Sequence, residues 1–243
     1  MKLDISDNKF EKMSNEQKKR YVSSLLIKDS GVLPVPATES PIAFVMAGAP
    51  GSGKTEFLNS LNENIQLIDR FGAFAHIDLD QIVTIYPSYT PKTYAKFRSQ
   101  GNLMVARCVD ELRRGRYNMM IDGTFSGSSG SSIRNIEKLL NNGYIVIMIY
   151  MFDDPETSWD YTKKREIETN RGIDKAGFIA SCDTVTKNLR EAILKFRGNH
   201  EFILQIVKQK VLRDKNYEFV SEDMDIDLIL EQGYNIDRLK KIL

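Results

Sequence analysis

The chain has 243 residues, enough for one large α/β domain with appendages. Its 34 Lys plus Arg against 33 Asp plus Glu leave a formal charge of +1, so no net field draws the whole protein onto nucleic acid or an anionic membrane. Any basic site must be local. No apolar run approaches the roughly 18 residues that cross a bilayer, and the charged start of the chain is unlike a signal peptide, which predicts a cytoplasmic protein. Cys108 and Cys182 lie far apart without metal-type spacing and are expected as buried free thiols in a reducing compartment rather than a disulfide.

In chain order, residues 8–29 mix apolar and charged side chains in a helix-compatible pattern, and the Gly, Pro and Ser of 30–41 read as a linker. Residues 42–47 form a short apolar run between Pro41 and Gly48, the pattern of a strand buried on both faces of a parallel sheet. Similar runs occur at 73–77, 117–121 and 144–152. Between them, 54–62, 103–114 and 132–141 carry helical periodicity. Beyond residue 152 the pattern becomes more polar, with helices expected at 155–168 and 175–196 and a strand at 202–211. The end of the chain reads as a turn-rich strand region followed by helices at 224–232 and 236–242. Strand-then-helix alternation predicts an α/β fold with right-handed crossovers.

The strongest chemical signal is the segment Gly48, Ala49, Pro50, Gly51, Ser52, Gly53, Lys54, Thr55, a full GxxxxGK[ST] match between a predicted strand and a predicted helix. The glycines permit φ > 0 and close backbone approach, so successive N–H groups and the helix N-terminus can wrap a β-phosphate. Lys54 is then expected to bridge the β- and γ-phosphates of ATP or GTP, and the Thr55 hydroxyl to bind Mg²⁺. With Glu56, these are the candidate nucleotide-binding residues. The fold expected is a P-loop NTPase-type parallel sheet flanked by helices, occupying 41–211, with a lid near 155–175. A helical lead-in and linker precede it at 1–40, and a C-terminal extension at 212–243 packs on it.

Two further strands end in carboxylates, at the sheet edge where α/β folds place ligands. After the first come Asp78 and Asp80. Alternation in an extended segment puts both on one side, with Asp80 further out and the better placed to take a substrate hydroxyl's proton; its alternative role is a helix N-cap. His76 reads as a core or edge histidine. After the next strand come Asp122, a candidate Mg²⁺ ligand, and Thr124 and Ser126, candidate hydrogen-bond donors to a polar acceptor. The serines of that loop also fit a turn plus an N-cap at Ser131 or Ser132. The cluster around Lys163, Lys164, Arg165 and Arg171, with Gly172 at the turn, is either a lid whose arginines meet the transferring phosphoryl group or a solvated helix face.

Over about residues 44–196 these motifs resemble, in order, those of the zeta toxin group of P-loop kinases, whose best-known members phosphorylate UDP-N-acetylglucosamine. The resemblance is carried by GAPGSGKT, by IDLD followed by Tyr86-Pro87-Ser88-Tyr89, by YNMMIDGT, and by Arg165 and Arg171. It implies Lys54 and Thr55 on phosphate and metal, Asp80 as catalytic base, Arg165 and Arg171 on the transferred group, and an antitoxin-like protein partner of unknown kind. The chain departs from the pattern at Arg107, where the family has a sugar-contacting glutamate, and at Tyr86, where it has a histidine before the proline. Phage polynucleotide kinases show a similar order. Three functions follow: a kinase acting on a small-molecule hydroxyl, a kinase acting on nucleic acid through Arg113, Arg114, Arg116 and residues 208–215, and a nucleotide-dependent switch that phosphorylates nothing.

Overall fold

The structure, a computed structural model, describes residues 6–169, 172–209, 217–219 and 236–242. It has the expected α/β class, with a five-strand parallel sheet flanked by helices. Among the described residues the order is α1 (Asp7–Lys12), α2 (Asn15–Ser30), β1 (Ile42–Gly48), α3 (Lys54–Asn62), α4 (Ile65–Phe71), β2 (Ala75–Asp78), α5 (Leu79–Val83), α6 (Tyr94–Arg114), β3 (Met119–Asp122), α7 (Ser129–Leu140), β4 (Ile145–Phe152), α8 (Pro155–Thr169), α9 (Lys175–Phe196), β5 (Phe202–Gln209), β6 (Tyr217–Phe219) and α10 (Ile236–Ile242). The expected helix at 224–232 lies outside the described residues. By contact density the chain divides into two compact units, Met1–Ala43 with Leu61–Asp122, and Phe44–Ser60 with Gly123–Leu243.

In the first unit β2 and β3 pair in parallel, with Asp78 in register with Asp122. Ser14 caps α2 by accepting from the Gln17 N–H, and the Gln17 side chain accepts in return from the Ser14 N–H, so two end-of-helix donors are satisfied together. Val22, Leu25 and Leu26 of α2 are buried, as are Met104, Cys108 and Leu112 of α6. Lys19 is 7 % exposed and bridges Glu16 at 2.8 Å and Glu111 of α6 at 2.9 Å. Gly101 lets α6 come close to α5, since a Cβ there would lie 2.6 Å from side-chain atoms of both Leu79 and Val83. At the other end of the strands Asn118 accepts from the Ile42 N–H and donates to the Phe71 carbonyl, both at 2.7 Å.

In the second unit the order is β1-β4-β5-β6, with β5 parallel to β4 and β6 antiparallel to β5. Every residue of β1 is buried, and so are Val146, Met148 and the 149–151 run of β4, as a parallel sheet covered on both faces requires. Helix α9 supplies Phe178, Cys182, Val185, Leu189 and Ala192 to this core, and α10 packs on α9 with Leu239 fully buried. Both cysteines are free and buried, and burial lifts the thiol pKa of Cys108 to about 11 and of Cys182 to about 12. No helix among the described residues is long and apolar enough to cross a membrane.

Candidate functional site

The cradle lies in the second unit, where β1 ends at Gly48 and α3 begins at Lys54. Gly51 and Gly53 have φ of 79° and 84°, the left-handed region open to glycine. Space forbids a side chain as well. A Cβ on Gly51 would stand 2.2 Å from the Ser158 carbonyl oxygen, and one on Gly48 2.7 Å from the Met151 carbonyl oxygen. The loop therefore rests directly on the end of β4 and on α8. Helix α8 is itself set by Asp154, whose carboxylate accepts from the N–H groups of Glu156 and Thr157 at 3.0 and 3.1 Å. Gly51→Ala should cost about 1–3 kcal/mol and blunt any ATP-dependent rise in melting temperature. Thermal melts with and without ATP check this against Gly143→Ala, whose φ of 72° is strained but whose Cβ meets nothing.

Lys54 is 8 % exposed, and its ammonium donates to the carbonyls of Gly48 at 3.1 Å and Ala49 at 2.5 Å, with Ser52 Oγ at 3.3 Å. The charge is thus folded over the loop that the phosphates are expected to enter. It also reaches Cys182 of α9, where it lowers the thiol pKa against the larger opposite effect of burial. Ala49 and Ser52 are fully buried, Pro50 is half-buried, and Thr55 and Glu56 are exposed on the first turn of α3.

The loop after β3 belongs to the same unit. The Gly48 N–H donates to the Thr124 carbonyl at 3.2 Å, and the Thr124 and Ser126 hydroxyls are hydrogen-bonded at 2.5 Å. Helix α7 starts at Ser129 after the N-cap Ser128, so neither Ser131 nor Ser132 is the cap; the backbone turns helical three residues earlier than expected. Arg165 is exposed on α8, and Arg171 lies outside the described residues. The neighbouring Lys163 is held within α8, 2.9 Å from Glu166 and 4.5 Å from the centre of the Trp159 ring.

The remaining candidates lie in the first unit. Asp78 and Asp122 stand side by side at the C-terminal ends of β2 and β3. Asp78, not Asp80, is the N-cap of α5, its Oδ1 accepting from the Asp80 N–H at 2.8 Å. The expected alternation of Asp78 and Asp80 along an extended segment is therefore broken: the chain turns helical at Leu79 because the Asp78 side chain satisfies the first turn. Asp80 sits half-buried within that turn. His76 is on β2 with its Nε2 buried; burial lowers its pKa, and the nearby Asp122 carboxylate opposes the shift. Arg107 lies on α6, and its charge acts on the Tyr86 phenol, lowering a pKa that burial raises more strongly. The two departures from the zeta toxin pattern are thus neighbours. Tyr86 packs edge-on to Phe10 and against Phe97, centroids 6.0 and 5.4 Å away.

The basic stretch considered for nucleic acid is largely engaged within this unit. Arg113 pairs with Asp110 at 3.3 Å, and Arg116 donates to the carbonyls of Val35, Pro36 and Glu39. Residues 210–215 of the second stretch lie outside the described residues. Sequence reasoning missed Ser158, which floors the cradle, and Asn188, which donates to the loop after β3. Asn188 carried one signal: an amide among the apolar core positions of α9.

The family model for the zeta toxin matches residues 29–218, over three quarters of the chain and every candidate residue named above. The chain belongs to the zeta toxin family. It is 34% identical over 94 residues to a zeta toxin of Streptococcus agalactiae and 31% identical over 121 residues to one of Enterococcus hirae. Those alignments take in 36% and 47% of this chain but only 31% and 41% of the relatives' own length. Among solved structures, a chain from the PezAT toxin–antitoxin system of Streptococcus pneumoniae superposes with a TM-score of 0.60 at 19% identity, over 96% of this chain and 89% of that one. A chain of the AvrRxo1-ORF1:-ORF2 complex gives 0.64 at 15% identity, over 91% and 73%. At such identities these likenesses speak for the fold alone.

Proposed function

We propose that this zeta toxin family protein is a Mg²⁺-dependent kinase that moves the γ-phosphoryl group of ATP or GTP to a hydroxyl of a small polar acceptor, with a nucleotide sugar as one candidate. The observation that carries this is the cradle: a strand-to-helix loop with glycines where no side chain fits and a largely buried lysine folded over it. The fold and the family support nucleotide use; the acceptor class rests on the hydroxyls of Thr124 and Ser126 and on the family's best-known members.

The residues available suit Mg²⁺. No group of three or more His, Cys, Asp or Glu among the described residues is arranged to hold a metal ion. Mg²⁺ beside a nucleotide needs no such cage, since it keeps waters and phosphate oxygens and takes one or two hard oxygen donors. Thr55, on the first turn of α3, is the donor proposed for it, and Asp122, at the end of β3, is the second candidate. When bound, the ion neutralises charge on the β- and γ-phosphates.

The chain's own residues do the rest. Lys54 leaves its carbonyl partners for the phosphate oxygens, and the loop N–H groups hold the β-phosphate. Asp80 takes the acceptor's proton as the acceptor oxygen bonds to the γ-phosphorus and the bond to the bridging oxygen breaks, releasing ADP or GDP. Arg165 and Arg171 stabilise the charge on the transferring group. A protein partner that restrains the enzyme, as an antitoxin restrains a toxin, is a further part of the proposal.

The test is transfer of label from γ-labelled ATP with Mg²⁺ to UDP-N-acetylglucosamine, nucleosides or oligonucleotides. The expected result is a phosphorylated small-molecule product, with Arg165→Ala lowering kcat by at least about tenfold while the KM for ATP moves less, because its contact tightens on the transferring group. Label appearing only as inorganic phosphate rejects the kinase in favour of a nucleotide-dependent switch. Label on oligonucleotides alone moves the acceptor to nucleic acid.

A further inference from the structure

Asn188 lies in the middle of α9 and is 1 % exposed. A buried amide is costly unless it is hydrogen-bonded, so its partners carry information. Its Nδ2 donates to the Phe125 carbonyl at 2.7 Å and to the Gly127 carbonyl at 2.9 Å, which uses both amide hydrogens. The orientation is fixed by chemistry, because a flipped amide would aim its oxygen at two carbonyl oxygens. Between those carbonyls Ser126 offers its hydroxyl, bonded to that of Thr124. Phe125 has φ of +60°, a conformation that a bulky side chain holds only when its surroundings impose it. On the other side the Thr124 carbonyl is tied to the Gly48 N–H at the start of the cradle.

From this double clamp we infer that Asn188 is a positioning residue for acceptor recognition: it fixes the loop that presents the Thr124 and Ser126 hydroxyls and registers it against the cradle. The inference rests on the kinase function proposed above. It separates two tasks within one unit. The nucleotide is held by Lys54 and the loop N–H groups, while the hydrogen bonds of Asn188 go to the Phe125 and Gly127 carbonyls of the loop that carries the hydroxyls offered to the acceptor. Loss of the amide therefore acts on the acceptor and spares the nucleotide.

Asn188→Asp keeps the shape but replaces the donor nitrogen with an oxygen that faces two carbonyls; Asn188→Ala removes the clamp without a buried charge, so the test survives if the first variant does not fold. With UDP-N-acetylglucosamine as acceptor, both should lower kcat/KM for the acceptor by about 10- to 100-fold, the scale of a loop displaced by about 1 Å. The KM for ATP and the ATP-dependent rise in melting temperature should stay within about twofold. Amide hydrogen exchange in Asn188→Ala should quicken about tenfold at residues 124–128 and stay unchanged in β4. Wild-type acceptor kinetics in a variant whose loop exchanges faster would overturn the inference, as would unchanged loop exchange. Parallel losses for ATP and acceptor together with a lower melting temperature would also overturn it, since they mark a general loss of structure. Wild-type protein that phosphorylates none of UDP-N-acetylglucosamine, nucleosides and oligonucleotides overturns the kinase function itself and this inference with it.

Discussion

Lys54→Met should abolish the ATP-dependent rise in melting temperature while leaving the nucleotide-free protein nearly as stable as the wild type. The ammonium is held by the Gly48 and Ala49 carbonyls in a largely buried position, so its loss removes charge-assisted hydrogen bonds but also the cost of desolvating a cation. These terms oppose each other, and methionine keeps the length of the apolar stem. The nucleotide has no such compensation, because the charge that neutralises its β- and γ-phosphates is gone. At a hundredfold excess of ATP over Kd, wild-type protein gains about 2.7 kcal/mol, or roughly 5–10 °C for a chain of this size. The variant should gain under about 1 °C. A full shift in Lys54→Met, measured by scanning fluorimetry with and without Mg²⁺-ATP, would refute the assigned cradle. Lys54→Ala should show the same loss from a lower baseline, because truncation also removes the largely buried apolar stem.

What could be read from the residues follows how much each element depends on its own sequence. Strand β1 and strand β4 are buried on both faces, so their runs stand out without any knowledge of neighbours. Helix α3 at 54–62 and helix α9 at 175–196 appear where periodicity puts them, α9 beginning at an Asp174 cap that accepts from the Gly177 N–H. Helix α6 starts nine residues before the expected 103, because its first half is solvated and shows no apolar stripe: residues 95, 96, 98–100 and 102 are all exposed. Helix α4 has no buried residue: Ile65, Ile68 and Phe71 recur at helical spacing but stay exposed, on a segment too short for its pattern to stand out.

The candidate site divides the same way. A phosphate cradle is a demand on backbone chemistry, met by glycines at fixed spacing, so Gly48 to Thr55 could be recognised locally. The ordered motifs also pointed to the zeta toxin family, to which the chain proves to belong. The contacts that hold the cradle and its loop are different in kind. Ser158 meets Gly51 from 107 positions away, and Asn188 meets Phe125 across 63 residues, distances at which no local pattern operates. The duty of Asp78 was hidden for the opposite reason. An aspartate that caps a helix and one that awaits a proton look identical in sequence, and Asp80, the proposed base, stands only two residues from the capping Asp78.

Asp80→Asn should reduce kcat by roughly 10²- to 10⁴-fold while leaving ATP affinity within a few fold, since the amide keeps the shape but cannot accept the acceptor's proton. The cap of α5 makes this test cleaner than the sequence implied. The side chain that accepts the helix-start hydrogen bond is that of Asp78, through the Asp80 backbone N–H, which Asp80→Asn preserves. The cap of α5 should therefore survive the substitution. Asp78 provides two controls. Asp78→Asn retains the cap, because asparagine is as good an N-cap as aspartate, and should cost less in kcat than Asp80→Asn; Asp78→Ala removes the cap and should cost about 1 kcal/mol of stability. If Asp80→Asn turns over at a near-normal rate with the acid limb of its pH–rate profile unchanged, Asp80 is not the base. If instead its activity returns with excess Mg²⁺, the carboxylate serves the ion, and the acceptor hydroxyl loses its proton to another group or directly to the phosphate oxygens.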